Sequence, residues 1–120
     1  MWEIKKDLLN ELLNAAKNNY PNEFICFLGG NSKNSKITEF VFLPSESDKH
    51  SASVNLHSIP FDDTIIGSLH SHPNSTNTPS KADKKLFIKY PINLIFGYPF
   101  LIENIGAYDN KSNKISIELI

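Results

Sequence analysis

The side chains best suited to chemistry lie in one short stretch of the chain. His70 and His72 stand one residue apart. Seven residues separate His72 from Ser80, and two separate Ser80 from Asp83. Two imidazoles and a carboxylate are the ligand set of a catalytic zinc site, whose fourth position stays open for water. On a strand, His70 and His72 point to the same face with Cα atoms roughly 6.5–7 Å apart, and Ser71 points to the opposite face. Asp83, in the first turn of a following helix, can fold back to supply the third ligand. Two plainer readings compete. Ser80-Lys81-Ala82-Asp83 has the form of a helix capping box with Asp in place of Glu, and two alternate histidines also suit an exposed strand. For Ser80 the roles are compatible, since its backbone can start a helix while its hydroxyl faces the site.

The surrounding elements must hold this stretch in place. Residues 64–72 read as a strand whose apolar opening suits a central position, stopped by Pro73. Residues 74–79 are a polar loop, and residues 81–89 a helix. Upstream, Ile4, Leu8, Leu9, Leu12, Leu13 and Ala16 recur at helical spacing, predicting a helix over residues 3–18 that packs on a sheet. Pro21 follows its end, because the residue before a proline is pushed out of the helical region. Phe24 to Leu28 is a continuous apolar run, as expected of a strand covered on both faces, with Gly29-Gly30 opening a turn. Residues 37–43 and 52–56 are expected strands, and residues 57–63 an expected turn. Residues 92–96 are a buried strand, and residues 103–120 a closing hairpin turning at Asn110 to Asn113. Two helices among six or seven short strands imply one α/β domain spanning residues 1–120 and built around a single sheet. The strands are too many, and the helices too few, for a doubly wound parallel fold.

The bulk numbers narrow the function classes. At 120 residues the chain can bury a core without a disulfide or structural metal. Its net charge of −1, with 12 basic and 13 acidic residues and no basic block, gives no electrostatic support for binding nucleic acid or a membrane surface. The single cysteine, Cys26, excludes a Cys-based zinc site, and its apolar neighbours predict a buried, inert thiol. No apolar run approaches a membrane span and no signal-peptide pattern opens the chain, so a cytoplasmic location is expected. His50 and His57 match no ligand spacing and are read as surface residues.

At the level of whole motifs, His70-Ser71-His72-Pro73 with Ser80-x-x-Asp83 resembles the signature of the JAMM (MPN-plus) zinc metalloproteases. That family includes deubiquitinating isopeptidases and their archaeal and bacterial relatives. The resemblance extends to Pro21-Asn22-Glu23, with Leu28 and Gly30 downstream, and so over essentially the whole chain. It implies a cytidine-deaminase-like α-β-α sandwich around one mixed β-sheet. It further implies one zinc ion held by His70, His72 and Asp83. Glu23 would be the general base for the attacking water and then the acid for the leaving amine, and Ser80 would help stabilise the oxyanion. Bordering an apolar run, Glu23 is expected at a buried strand edge; Glu39 is the second choice. Cys26 stands where relatives usually carry glycine. The segment 52–66 is short where many relatives place a ubiquitin-binding insertion, which weighs against a polyubiquitin substrate. The implied activity is hydrolysis of the bond after the C-terminal tail of a ubiquitin-like or sulfur-carrier protein. A non-catalytic scaffold and a DNA-repair-associated relative are the alternatives. The intact ligand set argues against the first, and the lack of a basic surface against the second.

Overall fold

The computed structural model describes residues 1–42 and 64–120. Its strands are β1 (Trp2–Ile4), β2 (Ile25–Asn31), β3 (Lys36–Val41), β4 (Ile65–His72), β5 (Ile92–Gly97), β6 (Ile105–Tyr108), β7 (Lys114–Ile115) and β8 (Ile117–Leu119). The helices are α1 (Lys6–Asn19) and α2 (Lys81–Phe87). All eight strands belong to one mixed sheet ordered β7-β6-β5-β4-β2-β3-β1-β8. Neighbours β4 and β5 run parallel, as do β1 with β3 and β1 with β8, while the remaining pairs are antiparallel. The β4 strand is central, as its apolar opening predicts.

The helices lie on opposite faces, which gives the α-β-α arrangement. Leu9, Leu12, Leu13 and Ala16 of α1 enter the main core with Ile4, Cys26, Leu28, Ile37, Leu69, Leu94, Phe96 and Ala107. Leu86 and Phe87 of α2 pack on the other face, against Phe27 and against Ile95 with Tyr108. Only Ser116 separates β7 from β8, yet these strands stand at the two ends of the sheet order. Across one residue their facing Cα atoms lie within roughly 7.6 Å. The sheet therefore curls until its ends meet at the C-terminal segment, and α1 fills the inner face.

Four expectations are corrected. The first predicted helix absorbed a strand: Trp2–Ile4 pairs with β3 and β8 before α1 begins at Lys6. Ile4 is buried and fits the helical stripe by spacing alone, so periodicity cannot separate the two states there. Gly29 and Gly30 lie inside β2 at a bulge, not in a turn, because a Cβ at Gly30 would strike the Lys36 carbonyl of the adjacent strand. The turn comes later, at residues 32–35. The C-terminal hairpin is only half realised: β7 pairs with β6, whereas β8 crosses to β1. Ile115 and Ile117 both pack on the main core, so one continuous segment serves both ends of the sheet. Finally, the second helix stops at Phe87, two residues short of its expected end. The expected strand at 52–56, the loop before it, the turn at 57–63 and both His50 and His57 lie outside the described residues.

Candidate metal centre

The strand β4 carries the histidines. His70 and His72 extend to the α2 face, and His70 lies 6.3 Å from the Phe87 ring between centroids. Ser71 points to the opposite face and is buried there. Pro73 ends the strand, and seven positions later Ser80 caps α2 with the capping box its sequence predicts. The Asp83 N–H donates to Ser80 Oγ at 3.2 Å, and the Ser80 N–H donates to Asp83 Oδ2 at 2.8 Å. This cap satisfies two helix N-terminal donors, and it also fixes where the Asp83 carboxylate lies.

That carboxylate sits against both imidazoles. Asp83 Oδ1 is 3.0 Å from His70 Nε2, Oδ2 is 3.2 Å from His72 Nε2, and the two Nε2 atoms are 3.2 Å apart. One ligand atom from each of the three residues lies within 4.8 Å of the other two, and the 3.2 Å between the imidazole nitrogens is close to the ~3.3–3.4 Å between ligand atoms of a tetrahedral site with bonds of ~2.0–2.1 Å. His70, His72 and Asp83 are a group that can hold a metal ion among the described residues. Capping and a donor position beside both imidazoles, which compete as readings of the sequence, are compatible on this one side chain. The side chains of His70, His72 and Asp83 are only 6%, 14% and 15% exposed. Two imidazole nitrogens this close need a proton or a cation between them, because facing lone pairs repel.

The orientation of His72 has an identifiable cause. Its Nδ1 lies 3.1 Å from the Thr76 carbonyl oxygen. A carbonyl only accepts, so Nδ1 carries a proton, and whenever the ring is neutral its lone pair falls on Nε2. Metal-bound histidines are commonly oriented by such a bond from the second ring nitrogen. His70 Nδ1, by contrast, is buried with no hydrogen-bond partner among the described residues.

The charges of the cluster are mutually adjusted. Burial alone would raise the Asp83 carboxyl, but hydrogen bonds from His70 and His72, the charge of His70 and the Ser80 N–H hold it well below the usual carboxylate range. His72 is raised above its ordinary 6.5, first by its hydrogen bond to Asp83, against an opposing effect of burial, then by Thr76 and by the charges of Asp83 and Glu23. The metal-free centre therefore favours a proton where a metal would sit, which is how a competing cation site behaves.

Glu23 lies just outside β2, and the sheet brings it to the histidines. Ile25 stands opposite His70, and the pairing continues one step further through Ser71 and Phe24. The Ser71 N–H donates to the Phe24 carbonyl at 2.9 Å, and the Phe24 N–H donates to Ser71 Oγ at 2.8 Å. Continued by one more residue, the same register would set Glu23 across from His72, and the charge of Glu23 does act on that imidazole. Glu23 is exposed, so the buried strand edge expected for it is not found. Glu39 stands across from Gly29, six residues along β2 and so roughly 20 Å from the Glu23 end at strand rise. It is not brought to the histidines. Cys26 is buried as predicted, and desolvation pushes its thiol up to about 12.

Comparison with known proteins turns on the same residues. The model of the prokaryotic homologs of the JAB domain matches residues 5–104. The chain belongs to this family. A probable metalloprotease of Haloferax volcanii is 29% identical over 126 residues, spanning 98% of this chain and 78% of that protein. A solved structure described as a JAMM metalloprotease-like zinc site in the proteasome and signalosome has a TM-score of 0.79 at 27% identity, over 100% of this chain and 98% of the other. A JAB1/MPN domain protein from Archaeoglobus fulgidus has a TM-score of 0.76 at 28% identity, over 98% of each chain. A protein from Desulfitobacterium hafniense, at 20% identity and a TM-score of 0.71 over 100% and 93% of the two chains, shares the fold. JAMM-type metalloprotease-like architecture and a zinc-suited donor set thus coincide in this JAB-domain chain.

The sequence does not reveal the acceptor that orients His72. The Thr76 carbonyl is backbone, and every residue has one, so no residue type marks it.

Proposed function

We propose that this JAB-domain chain is a zinc-dependent peptidase or isopeptidase, deubiquitinase-like in chemistry, which binds one zinc ion. It would cleave the bond after the C-terminal tail of a ubiquitin-like or sulfur-carrier protein. The observation that carries the reading is the cluster of His70, His72 and Asp83, whose imidazole nitrogens lie 3.0–3.2 Å from each other and from the Asp83 oxygens, with the charge of Glu23 acting on His72. Zinc bound there would lower the pKa of a coordinated water and polarise the scissile carbonyl. Glu23 is the proton carrier: exposed at the strand end, its carboxylate takes a proton from the attacking water and returns it to the leaving amine. Ser80 contributes from its hydroxyl. The oxygen accepts the cap hydrogen bond from the Asp83 N–H, and the hydroxyl hydrogen stays available to an oxyanion. Asp83 holds charge at the centre through its low carboxyl pKa and is kept in place by the Ser80 N–H.

A thin tail ending in small residues suits this centre, since His70 and His72 lie near the end of a central strand and leave only a small part of their side chains exposed. The family relation to a probable metalloprotease supports the class of reaction. The test is to incubate the zinc-loaded protein with ubiquitin-like and sulfur-carrier proteins of its host, each fused at its C-terminus to a reporter. Cleavage at the fusion junction that a chelator stops and zinc restores is expected. Zinc-loaded protein that leaves every such fusion intact would remove this substrate class, and a non-catalytic binding module would become the better reading.

A further inference from the structure

We propose that Asn104 is a positioning residue of the metal centre, acting on His72 through the loop that joins β4 to α2. The inference rests on the reading that His72 holds a metal. Asn104 ends a 3-10 turn at Ile102–Asn104, between β5 and β6. Its amide serves three groups at once. Nδ2 donates to the Ser75 carbonyl at 2.9 Å and to the Tyr98 carbonyl at 3.0 Å, while Oδ1 accepts from Asn77 Nδ2 at 3.1 Å.

A second anchor lies two residues along the same loop. The Tyr108 hydroxyl of β6 donates to the Asn77 carbonyl at 2.8 Å. The carbonyls of residues 75 and 77 are therefore both tied towards β6. The carbonyl of the residue between them, Thr76, is held by its anchored neighbours on both sides. It meets His72 Nδ1 at 3.1 Å. The loop is braced at its start as well, where the Tyr98 N–H donates to the Asn74 carbonyl at 2.8 Å and Asn74 Oδ1 accepts from the Thr76 N–H at 3.1 Å.

Two glycines make room for this arrangement. A Cβ at Gly97 would lie 2.5 Å from Asn104 Nδ2 and 3.0 Å from the Ser75 carbonyl oxygen. A Cβ at Gly106 would lie 2.8 Å from the Asn77 carbonyl oxygen and 3.0 Å from the Tyr108 hydroxyl. The strand positions facing the loop are thus kept bare where the loop is tied down. The consequence for His72 is a fixed tautomer: the Thr76 carbonyl claims Nδ1–H, and Nε2 is left as the donor atom aimed at Asp83 and His70.

The test uses the full chain in three variants with two readouts. Asn104→Ala removes all three bonds. Asn104→Asp keeps the shape but puts an oxygen where Nδ2 faces two carbonyls. Tyr108→Phe removes one hydroxyl and keeps the ring stacked on Phe87. Zinc affinity is measured by competition with a chelator, and the tautomer of His72 by nitrogen-15 NMR of the zinc-free protein at a pH high enough to leave the ring neutral. Loss of an orienting partner lowers metal affinity by about 10–100-fold. Asn104→Ala and Asn104→Asp should fall about tenfold and show His72 in mixed tautomers, and Tyr108→Phe should fall less in the same direction. Ile37→Val, which trims the core on the other face, should change neither. Variants that melt earlier yet keep wild-type affinity and a pure Nδ1–H tautomer would show that Asn104 braces the fold only. If the wild type binds no zinc, the proposed function fails while the tautomer of Asn104→Ala still decides this inference.

Discussion

Asp83 makes the sharpest demand of any single residue in this chain. It caps a helix and, on our account, binds a metal with the same carboxylate. Asp83→Asn separates the roles: an amide keeps one oxygen for the cap but loses the charge, so zinc binding should weaken strongly while stability falls little. A variant that loses only a cap-sized ~1 kcal/mol and keeps full zinc affinity would leave Asp83 as a cap alone. Glu23 can be tested as directly. Glu23→Gln should lower the kcat of reporter cleavage by several orders of magnitude with zinc still bound, because only the proton carrier is gone; unchanged turnover would reassign the base. The titration of the centre gives a third expectation. His72 is raised above 6.5, so its ion pair with Asp83 stabilises the zinc-free protein below pH 6.5 and is lost as pH rises through the folded value. Asp83 is lowered from 3.8, so its contribution is present above pH 3.8 and is lost as pH falls through the folded value. The metal-free centre is therefore most stabilising between these limits. Zinc must displace the proton, so the rise in melting temperature that zinc brings should grow from pH 6 to pH 8. A rise independent of pH would mean that His72 is not a ligand.

At the scale of elements, the centre depends on three of them meeting. On our account the β4 strand supplies two donors on one face, the first turn of α2 supplies the third, and the last residues before β2 supply Glu23. Ser71 links the first and last of these by its paired bonds with Phe24. Ser71→Ala should leave the Phe24 N–H buried without a partner, at a cost of about 1–3 kcal/mol. It should also lower kcat more than zinc affinity, since Glu23 is loosened while the ligands stay. Most of these elements are legible from the residues themselves. Alternation places His70 and His72 together and Ser71 opposite, and the Ser80-to-Asp83 spacing marks the helix start. The exposure of Glu23 is not legible, because an apolar run reports its own burial and not that of the residue before it. Asn104 is equally silent in the sequence, since an asparagine in a loop usually serves only its own turn.

At the scale of the whole molecule, the curled sheet divides the protein into two faces with separate tasks. The inner face holds α1 and most of the core, and the outer face holds α2 and the metal centre. Leu12, fully buried on α1, belongs to the core on the face opposite the centre. Leu12→Ala should cost about 2–5 kcal/mol and lower the melting temperature, yet leave zinc affinity unchanged in the folded protein. Coupled losses of both would mean that the faces are not independent. The α/β class and the presence of one sheet follow from the pattern of apolar runs. The closure of that sheet by β1 and β8 does not, because strands of three residues carry too little alternation to be told from the end of a helix or a tail.

All three scales converge on one metal held by His70, His72 and Asp83, and metal analysis tests that most directly. The protein is refolded in excess zinc, freed of loosely held metal by gel filtration and assayed for zinc alongside His72→Ala. The wild type should carry about one zinc per chain, as a three-ligand site with an open position requires, and His72→Ala should carry little. A wild type without zinc, or a variant that retains it in full, would contradict the account.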